Sequence, residues 1–197
     1  METINLHFLI LEQYLDKLKF IKLSHSQNLR RTPNFRGIPN LQRLDLEGCS
    51  NLIEVHPSVG VLKRLTLLNL KDCIRLTRLP SKIETESLEI LILSGCSKIK
   101  KISNFGENMQ QLQKLYLNGT AIKELPSSIL HLTGLNLLDL SGCKSLEVLN
   151  SKIGGFLDTL VGLHCEPIVP PSIIKLLWVG VKVVLFPRCL YIYLFKK

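Results

Sequence analysis

Residues 41–52 read LQRLDLEGCSNL, and near-copies of this stretch recur along the chain. The copies are LTLLNLKDCIRL at 65–76, LEILILSGCSKI at 88–99, LQKLYLNGTAI at 112–122 and LNLLDLSGCKSL at 135–146, and a looser copy begins at Leu18. The first residues of the six segments are spaced by 23, 24, 23, 24 and 23 positions. Such regular agreement excludes chance and identifies the chain as an array of repeats.

Each copy opens with the pattern L-x-x-L-x-L, which is typical of a leucine-rich repeat. Side chains alternate along a strand, so L-x-L describes a short strand with both leucines on one face. One repeat cannot bury that face alone, and stacked repeats share a continuous core. We therefore predict an α/β repeat fold, a right-handed curved leucine-rich-repeat solenoid. Its parallel β-sheet forms the concave face, and loops and short helical turns form the convex face. The predicted strands lie near Leu44–Leu46, Leu68–Leu70, Leu91–Leu93, Leu115–Leu117 and Leu138–Leu140.

The repeats divide the chain into three parts. Residues 1–17 form an N-terminal flank, 18–154 hold about six repeats, and 155–197 form a degenerate apolar and basic tail. The tail's apolar run is interrupted by charges and proline, so we predict no membrane span. No secretory signal precedes the repeats. We expect a cytoplasmic or nuclear protein whose ends fray relative to its centre and associate through their apolar surface.

One small residue recurs eight positions after the first leucine of each of the last five repeats. These structural ladder residues are Cys49, Cys73, Cys96, Thr120 and Cys143. Small, weakly polar side chains can be buried there and bond to turn backbone. The sequence has no C-x-x-C pair, so we predict packing and no metal site. A disulfide ladder is disfavoured in a reducing compartment.

Residues between the buried leucines should face outward on the concave side and form a protein-binding surface. Ile90, Ile92 and Tyr116 would form its exposed apolar centre, and interfaces concentrate energy in such centres. The alternative is that they are ordinary exposed residues of a β-face. The residues predicted to bind the ligand are Arg43, Asp45, Leu67, Asn69, Ile90, Ile92, Lys114, Tyr116, Leu137 and Asp139. Glu47, Lys71, Ser94, Asn118 and Ser141 are predicted to point to the same side.

Composition and the remaining motifs indicate no catalysis. The net charge is +9, but the basic residues are scattered along the sequence without interleaved aromatics, so we expect a solvated surface and no nucleic-acid partner. His164-Cys165 lacks an orienting third group. We predict no enzyme activity, no cofactor and no catalytic or metal-binding residues.

The repeats also resemble a known family. LKFIKLSHSQNLRRTPNF, LDLEGCSNL, LNLKDC, LSGCSKI, NGTAIKELPSSI and LSGCKSLEVL are similar to the leucine-rich-repeat region of plant intracellular disease-resistance proteins. The class is the one with a Toll/interleukin-receptor-like domain and a nucleotide-binding domain. The resemblance covers residues 15 to about 154. It implies a protein-protein interaction module that recognises pathogen effectors or modified host proteins and contributes to self-inhibition and defence signalling.

The chain departs from that family outside the repeats. The motif G-x-x-x-x-G-K-[ST] is absent, so we expect neither nucleotide binding nor NAD cleavage. The chain is interpreted as a fragment, a truncated relative or a mispredicted gene product. Its expected partners are a protein ligand and, in a full-length receptor, the nucleotide-binding domain. An alternative function is an adaptor or ubiquitin-ligase substrate-recognition scaffold, although the N-terminal flank is short for the docking segment that it needs.

Overall fold

The computed structural model describes residues 15–146, Ile153 and the backbone of three later strands at 162–164, 183–186 and 189–192. Several sequence expectations fall outside these residues. They are the fraying and association of the ends and the character of the tail, which concern residues 1–14, 147–152, 154 and the part of 155–197 between and beyond the three strands.

One long parallel sheet contains a strand from each repeat. Neighbouring strands pair in register, so the second leucine of each pattern, or Ile21 in the first repeat, lies beside its equivalent in the next coil. The predicted leucine-rich-repeat solenoid is confirmed. The strands in sheet order are β1 (Phe20–Lys22), β2 (Arg43–Asp45), β3 (Leu67–Asn69), β5 (Ile90–Ile92), β7 (Lys114–Tyr116), β8 (Leu137–Asp139) and β9 (Gly162–His164).

The strands begin one residue earlier than predicted and end one residue earlier. Side chains at the last strand position explain the early end. Oδ1 of Asp45 accepts the backbone N–H of Glu47 at 3.1 Å, and Asn69 does the same for Lys71 at 3.0 Å. These local bonds turn the chain out of the extended conformation. Pairing between coils nevertheless continues, because the N–H of Leu46 still donates to the carbonyl of Asn69 at 2.8 Å.

The leucines of the repeats fill a continuous core between the sheet and the opposite side of each coil. In the third coil Leu65, Leu68, Leu70 and Leu76 are all at most 2% exposed. Burial of one such side chain stabilises the fold by roughly 1.5–3 kcal/mol. Each coil obtains this burial only against its neighbours, which is why the repeats form a stack.

The side of the coils opposite the long sheet carries two kinds of local structure. The second and fifth coils carry 3-10 helices, Pro57–Val61 and Ser127–His131, and a further one precedes β1 at Leu15–Lys17. The third and fourth coils instead carry β4 (Lys82–Ile83) and β6 (Asn104–Phe105), which pair in parallel. The short helical turns were expected from the sequence, and the second small sheet was not.

The helical and extended turns are joined by serine hydroxyls. Oγ of Ser58 accepts the backbone N–H of Phe35 in the preceding coil at 2.8 Å. Ser128 accepts the N–H of Phe105 in the same way at 2.9 Å. A serine of the 3-10 helix in one coil therefore accepts a backbone N–H of the preceding coil.

The residue before each ladder position has a left-handed backbone conformation. Four coils place glycine there, with φ between 67° and 74°. His25 (φ 60°) and Asp72 (φ 57°) occupy the position in the first and third coils. Left-handed backbone is costly for most residues that have a Cβ, but His and Asp tolerate it better than most. The turn thus depends on backbone conformation more than on one residue type.

The tail contributes three strands. β9 pairs in parallel with β8 and lies within LVGLHC (160–165), which keeps the L-x-x-L spacing with cysteine in the third leucine position. β10 (Val183–Phe186) and β11 (Cys189–Ile192) form an antiparallel pair. Of the residues described, none belongs to a helix long and apolar enough to cross a membrane.

Candidate protein-binding face

The outward side of the long sheet, here called the sheet face, carries three rows of side chains that run across the coils. Parallel pairing aligns the first residue of every strand in one row and the last residue in a second. The residue two positions after each strand forms the third. All ten residues predicted to bind the ligand lie in the first two rows. The rows are Phe20, Arg43, Leu67, Ile90, Lys114 and Leu137; then Lys22, Asp45, Asn69, Ile92, Tyr116 and Asp139; then Ser24, Glu47, Lys71, Ser94, Asn118 and Ser141.

Four neighbouring residues form an apolar patch at the centre of the sheet face. Leu67 pairs with Ile90, and Ile92 pairs with Tyr116 on the adjoining strand. Each of the four is half-buried, whereas the sequence suggested an exposed centre of Ile90, Ile92 and Tyr116. Parallel strands lie about 4.8 Å apart, so large side chains in one row cover each other's flanks. The central apolar patch is therefore Leu67, Ile90, Ile92 and Tyr116.

A hydrogen-bonded polar network borders this patch towards the N-terminal coils. Nδ2 of Asn69 donates to Oδ1 of Asp45 at 2.9 Å and to Oε2 of Glu47 at 3.2 Å. Nζ of Lys71 donates to Oε1 of Glu47 at 2.9 Å. The Lys71 ammonium, with help from Asn69, lowers the pKa of the Glu47 carboxyl, and Glu47 in turn raises the pKa of Lys71. The network holds these polar groups in fixed orientations.

The C-terminal border of the patch is polar as well. Ser94 donates to Oδ1 of Asn118 at 2.5 Å, which links the fourth and fifth coils. Oδ1 of Asp139 accepts both the backbone N–H of Ser141 at 3.0 Å and its hydroxyl at 2.5 Å. An apolar centre with polar groups on both sides is the usual anatomy of a protein interface.

Sequence reasoning missed Phe20, which lies at the N-terminal edge of the sheet face. Phe20 is 58% exposed, and the Arg43 guanidinium carbon lies 5.8 Å from its ring centre, within cation–π range. The predicted face contains no residue of the first, looser repeat. Its register with the second repeat, Leu18 against Leu41, was the signal that could have placed Phe20 beside Arg43.

The five ladder residues lie beneath the far end of the sheet and are buried. Sγ of Cys49, Cys73, Cys96 and Cys143 each lies 3.0–3.2 Å from the carbonyl oxygen of the third leucine of the preceding coil. Thr120 differs, since its hydroxyl donates to Leu117 in its own coil at 2.7 Å. Burial raises the pKa of all four thiols, that of Cys96 to about 12.

The thiols are therefore protonated near neutral pH and act as weak hydrogen-bond donors between coils. Within the described part of the chain, no three His, Cys, Asp or Glu side chains are grouped to hold a metal ion.

The repeats are similar in sequence to those of plant disease-resistance proteins. Residues 84–165 match the family model described as "Disease resistance protein RPS4B-like, leucine-rich repeats". TMV resistance protein N of Nicotiana glutinosa and disease resistance protein RPP2A of Arabidopsis thaliana are each 48% identical over 61 residues, covering 31% of this chain and 5% of the relative. Disease resistance protein RPV1 of Vitis rotundifolia is 50% identical over 50 residues, covering 25% of this chain and 4% of the relative.

The resemblance to plant disease-resistance proteins is therefore confirmed over the matched residues, and the chain matches only a small fraction of the length of these relatives. Among solved structures, a leucine-rich-repeat protein of Leptospira interrogans is 22% identical, with a TM-score of 0.34, and the overlay covers 75% of this chain and 50% of that one.

Proposed function

We propose that these repeats, which match those of plant disease-resistance proteins, are the ligand-contacting module of such a receptor and that the sheet face binds a protein. The ligand is a pathogen effector or a host protein that an effector has modified. The module itself is not an enzyme, and it works in the cytoplasm or the nucleus.

The central apolar patch is the single observation that carries this proposal. Four large side chains, Leu67, Ile90, Ile92 and Tyr116, lie beside one another on a parallel sheet, each partly exposed. Desolvation of such a patch supplies binding energy at little conformational cost, because the sheet already holds the side chains in place. The polar networks on both sides supply directional hydrogen bonds that select the partner.

In a full-length receptor the same face also supports self-inhibition. Before infection, a neighbouring domain of the receptor would contact the sheet face or its border, and ligand binding would compete for it. The proposed order of events is that the ligand displaces the contact and releases signalling by the other domains.

The test is affinity capture with the full chain from leaves with and without a pathogen. The binding variant is Ile92→Arg with Tyr116→Ala, and the matched control is Ile74→Arg. Ile74 is an apolar side chain that is 48% exposed and follows the ladder, away from the sheet face. Circular dichroism would verify that both variants fold.

We expect a protein from infected tissue to be retained by the wild type and by the control, and to be lost with the binding variant. Retention unaffected by Ile92→Arg with Tyr116→Ala would contradict the role of the sheet face. Capture of ubiquitin-ligase core subunits through that face would instead support the adaptor function.

A further inference from the structure

The charges of the described repeats are distributed unequally around the coil. Residues 15–146 carry an excess of eight positive charges, and an excess of seven lies on one surface. This surface, here called the basic flank, follows the ladder position in each coil. The sheet face is neutral by comparison, with four basic and four acidic residues, counting Asp72. The basic flank consists of Arg30, Arg31, Arg75, Arg78, Lys98, Lys100, Lys101, Lys123 and Lys144, together with two acids, Glu54 and Glu124.

Stacking of the coils brings these residues together although they are far apart in sequence. Arg31, Glu54 and Arg78 are joined by parallel backbone bridges. The N–H of Lys123 donates to the carbonyl of Lys100 at 3.4 Å. All nine basic side chains are exposed. Equivalent positions of neighbouring coils are about 4.8 Å apart, so the cations form short rows along the solenoid.

The first three coils show what fits between two of these cations. The carboxylate of Glu54 lies 3.5 Å from Nε of Arg31 and 3.2 Å from Nη2 of Arg78, which belong to the coils on either side. Its side chain is only 27% exposed. The chain thus places one of its own carboxylates between two cations of the same row, one in each neighbouring coil.

In the next coils no acid separates Arg78 from Lys101 or Lys100 from Lys123, and Glu124 follows Lys101 in the row of Glu54. In the same row as Glu54, Arg78 is followed directly by Lys101, and in the adjoining row Lys100 lies next to Lys123. Within the described residues, four lysines make no ion pair: Lys98, Lys100, Lys101 and Lys123. Neighbouring like charges repel each other, and an anion between them relieves the repulsion.

We propose that the C-terminal half of the basic flank, from Arg75 to Lys123, binds an acidic segment of a protein, whose carboxylates bridge neighbouring coils as Glu54 does. The carboxylate geometry already present at Glu54 favours a protein over nucleic acid. The segments that follow the ladder position, from Gln27 in the first coil to Ser145 in the sixth, contain no aromatic side chain that could stack on a base. This second surface is separate from the sheet face and does not rest on the proposed function.

The experiment measures fluorescence anisotropy of a labelled peptide of alternating Glu and Ser residues with the full chain, at low and at physiological salt. The flank variant is Lys98→Glu/Lys100→Glu/Lys101→Glu. The matched control is Lys19→Glu/Arg36→Glu/Arg64→Glu, which makes the same change in net charge at exposed residues on other surfaces. A duplex RNA and a Gln-Ser peptide are measured in parallel.

We expect the flank variant to weaken binding of the acidic peptide at least about tenfold, with a smaller dependence on salt, and the control to change it less than about threefold. Equal weakening by both variants would show that net charge alone attracts the peptide, and the proposal would be wrong. Undetectable binding of the acidic peptide at low salt would overturn it too. Tighter binding of the duplex RNA at physiological salt, lost in the flank variant, would replace the acidic segment with nucleic acid.

Discussion

Thr85 is a buried hydroxyl for which the described part of the chain offers no hydrogen-bond partner. It is 1% exposed and lies among apolar side chains beyond β4. A buried polar group without a partner loses its hydration and gains nothing in return. Thr85→Val should therefore stabilise the fold by about 1 kcal/mol in urea unfolding followed by circular dichroism.

Thr120→Val is the matched control for that substitution. Thr120 is equally buried, but its hydroxyl donates to Leu117 at 2.7 Å and lies 3.3 Å from Sγ of Cys143. Removal of the hydroxyl leaves the carbonyl with one bond fewer, so the same chemical change should destabilise by about 1 kcal/mol. If both substitutions changed the unfolding free energy in the same direction, the hydrogen-bond partner of the hydroxyl would not determine its effect on stability.

Glu47 gives the sheet face a predictable response to acid. Its pKa is lowered in the folded chain, chiefly by Lys71 and Asn69. A carboxyl with a depressed folded pKa stabilises the fold above its unfolded pKa, and the contribution is lost as the pH falls through the folded pKa. We expect Glu47→Gln to lower the unfolding free energy at neutral pH, and this loss to shrink steadily as the pH falls below the ordinary carboxyl range.

The control for this prediction is Glu89→Gln. Glu89 is exposed and makes no ion pair within the described residues. Its substitution should change stability little at neutral or at acid pH. A Glu47 effect that persists undiminished in acid would show that shape and packing, and not charge, account for it.

At the scale of a single turn, neighbouring coils constrain each other's choice of residue. Asp72 leans over the equivalent position of the next coil, where a Cβ added to Gly95 would overlap Oδ1 of Asp72. At Gly119, one coil further on, the nearest atoms to such a Cβ belong to Gly95 and are 3.7 Å away. Both glycines have positive φ, so both alanine variants suffer backbone strain, and the first also suffers a clash.

We expect Gly95→Ala to cost about 0.5 kcal/mol more than Gly119→Ala in urea unfolding, the low end for residues in contact, because the exposed Asp72 side chain can turn aside. Asp72→Gly should remove most of that excess in the double variant, since the overlapping side chain is gone. Additive effects of Asp72→Gly and Gly95→Ala would contradict the contact between the two coils.

The strands of the sheet were predictable because the leucines of the repeated pattern are the residues that the strands bury. The pattern L-x-x-L-x-L placed Leu44, Leu68 and Leu91 at the strand centres or edges, and the structure aligns them in register. The pairing of β4 with β6 was not predictable. It depends on two adjacent coils adopting the same extended turn, and SKI (81–83) and SNF (103–105) carry no periodic signal of it.

At the scale of the whole molecule, stability should vary along the stack. Leu115 is fully buried between two coils near the centre, whereas Ile21 is 9% exposed in the first described strand. Leu115→Ala should cost about 3–5 kcal/mol, as a cavity in a packed core does. Ile21→Ala should cost less, since fewer neighbours close around it. Equal costs in urea unfolding would mean that the chain has no weaker end.

The grouping of charge was hidden for a reason that also belongs to this scale. Lys100 and Lys123 are neighbours in space but 23 residues apart, so basic residues that form rows across coils appear scattered along the chain. Alignment of the repeats on their ladder positions would have shown the rows. The half-burial of Ile90, Ile92 and Tyr116 needed the structure, because it depends on how large side chains shield each other across strands.

The reactivity of the buried thiols reports how fast individual coils open. Cys49, Cys73, Cys96 and Cys143 mark four different coils, and each is at most 1% exposed. An alkylating reagent reacts with thiolate, so it must wait until the coil that holds a given cysteine opens. Peptide mapping after timed exposure to iodoacetamide should therefore give a separate rate of alkylation for each coil. We expect Cys73 and Cys96 to be alkylated most slowly. Simultaneous labelling of all four would reveal a stack that opens as one piece.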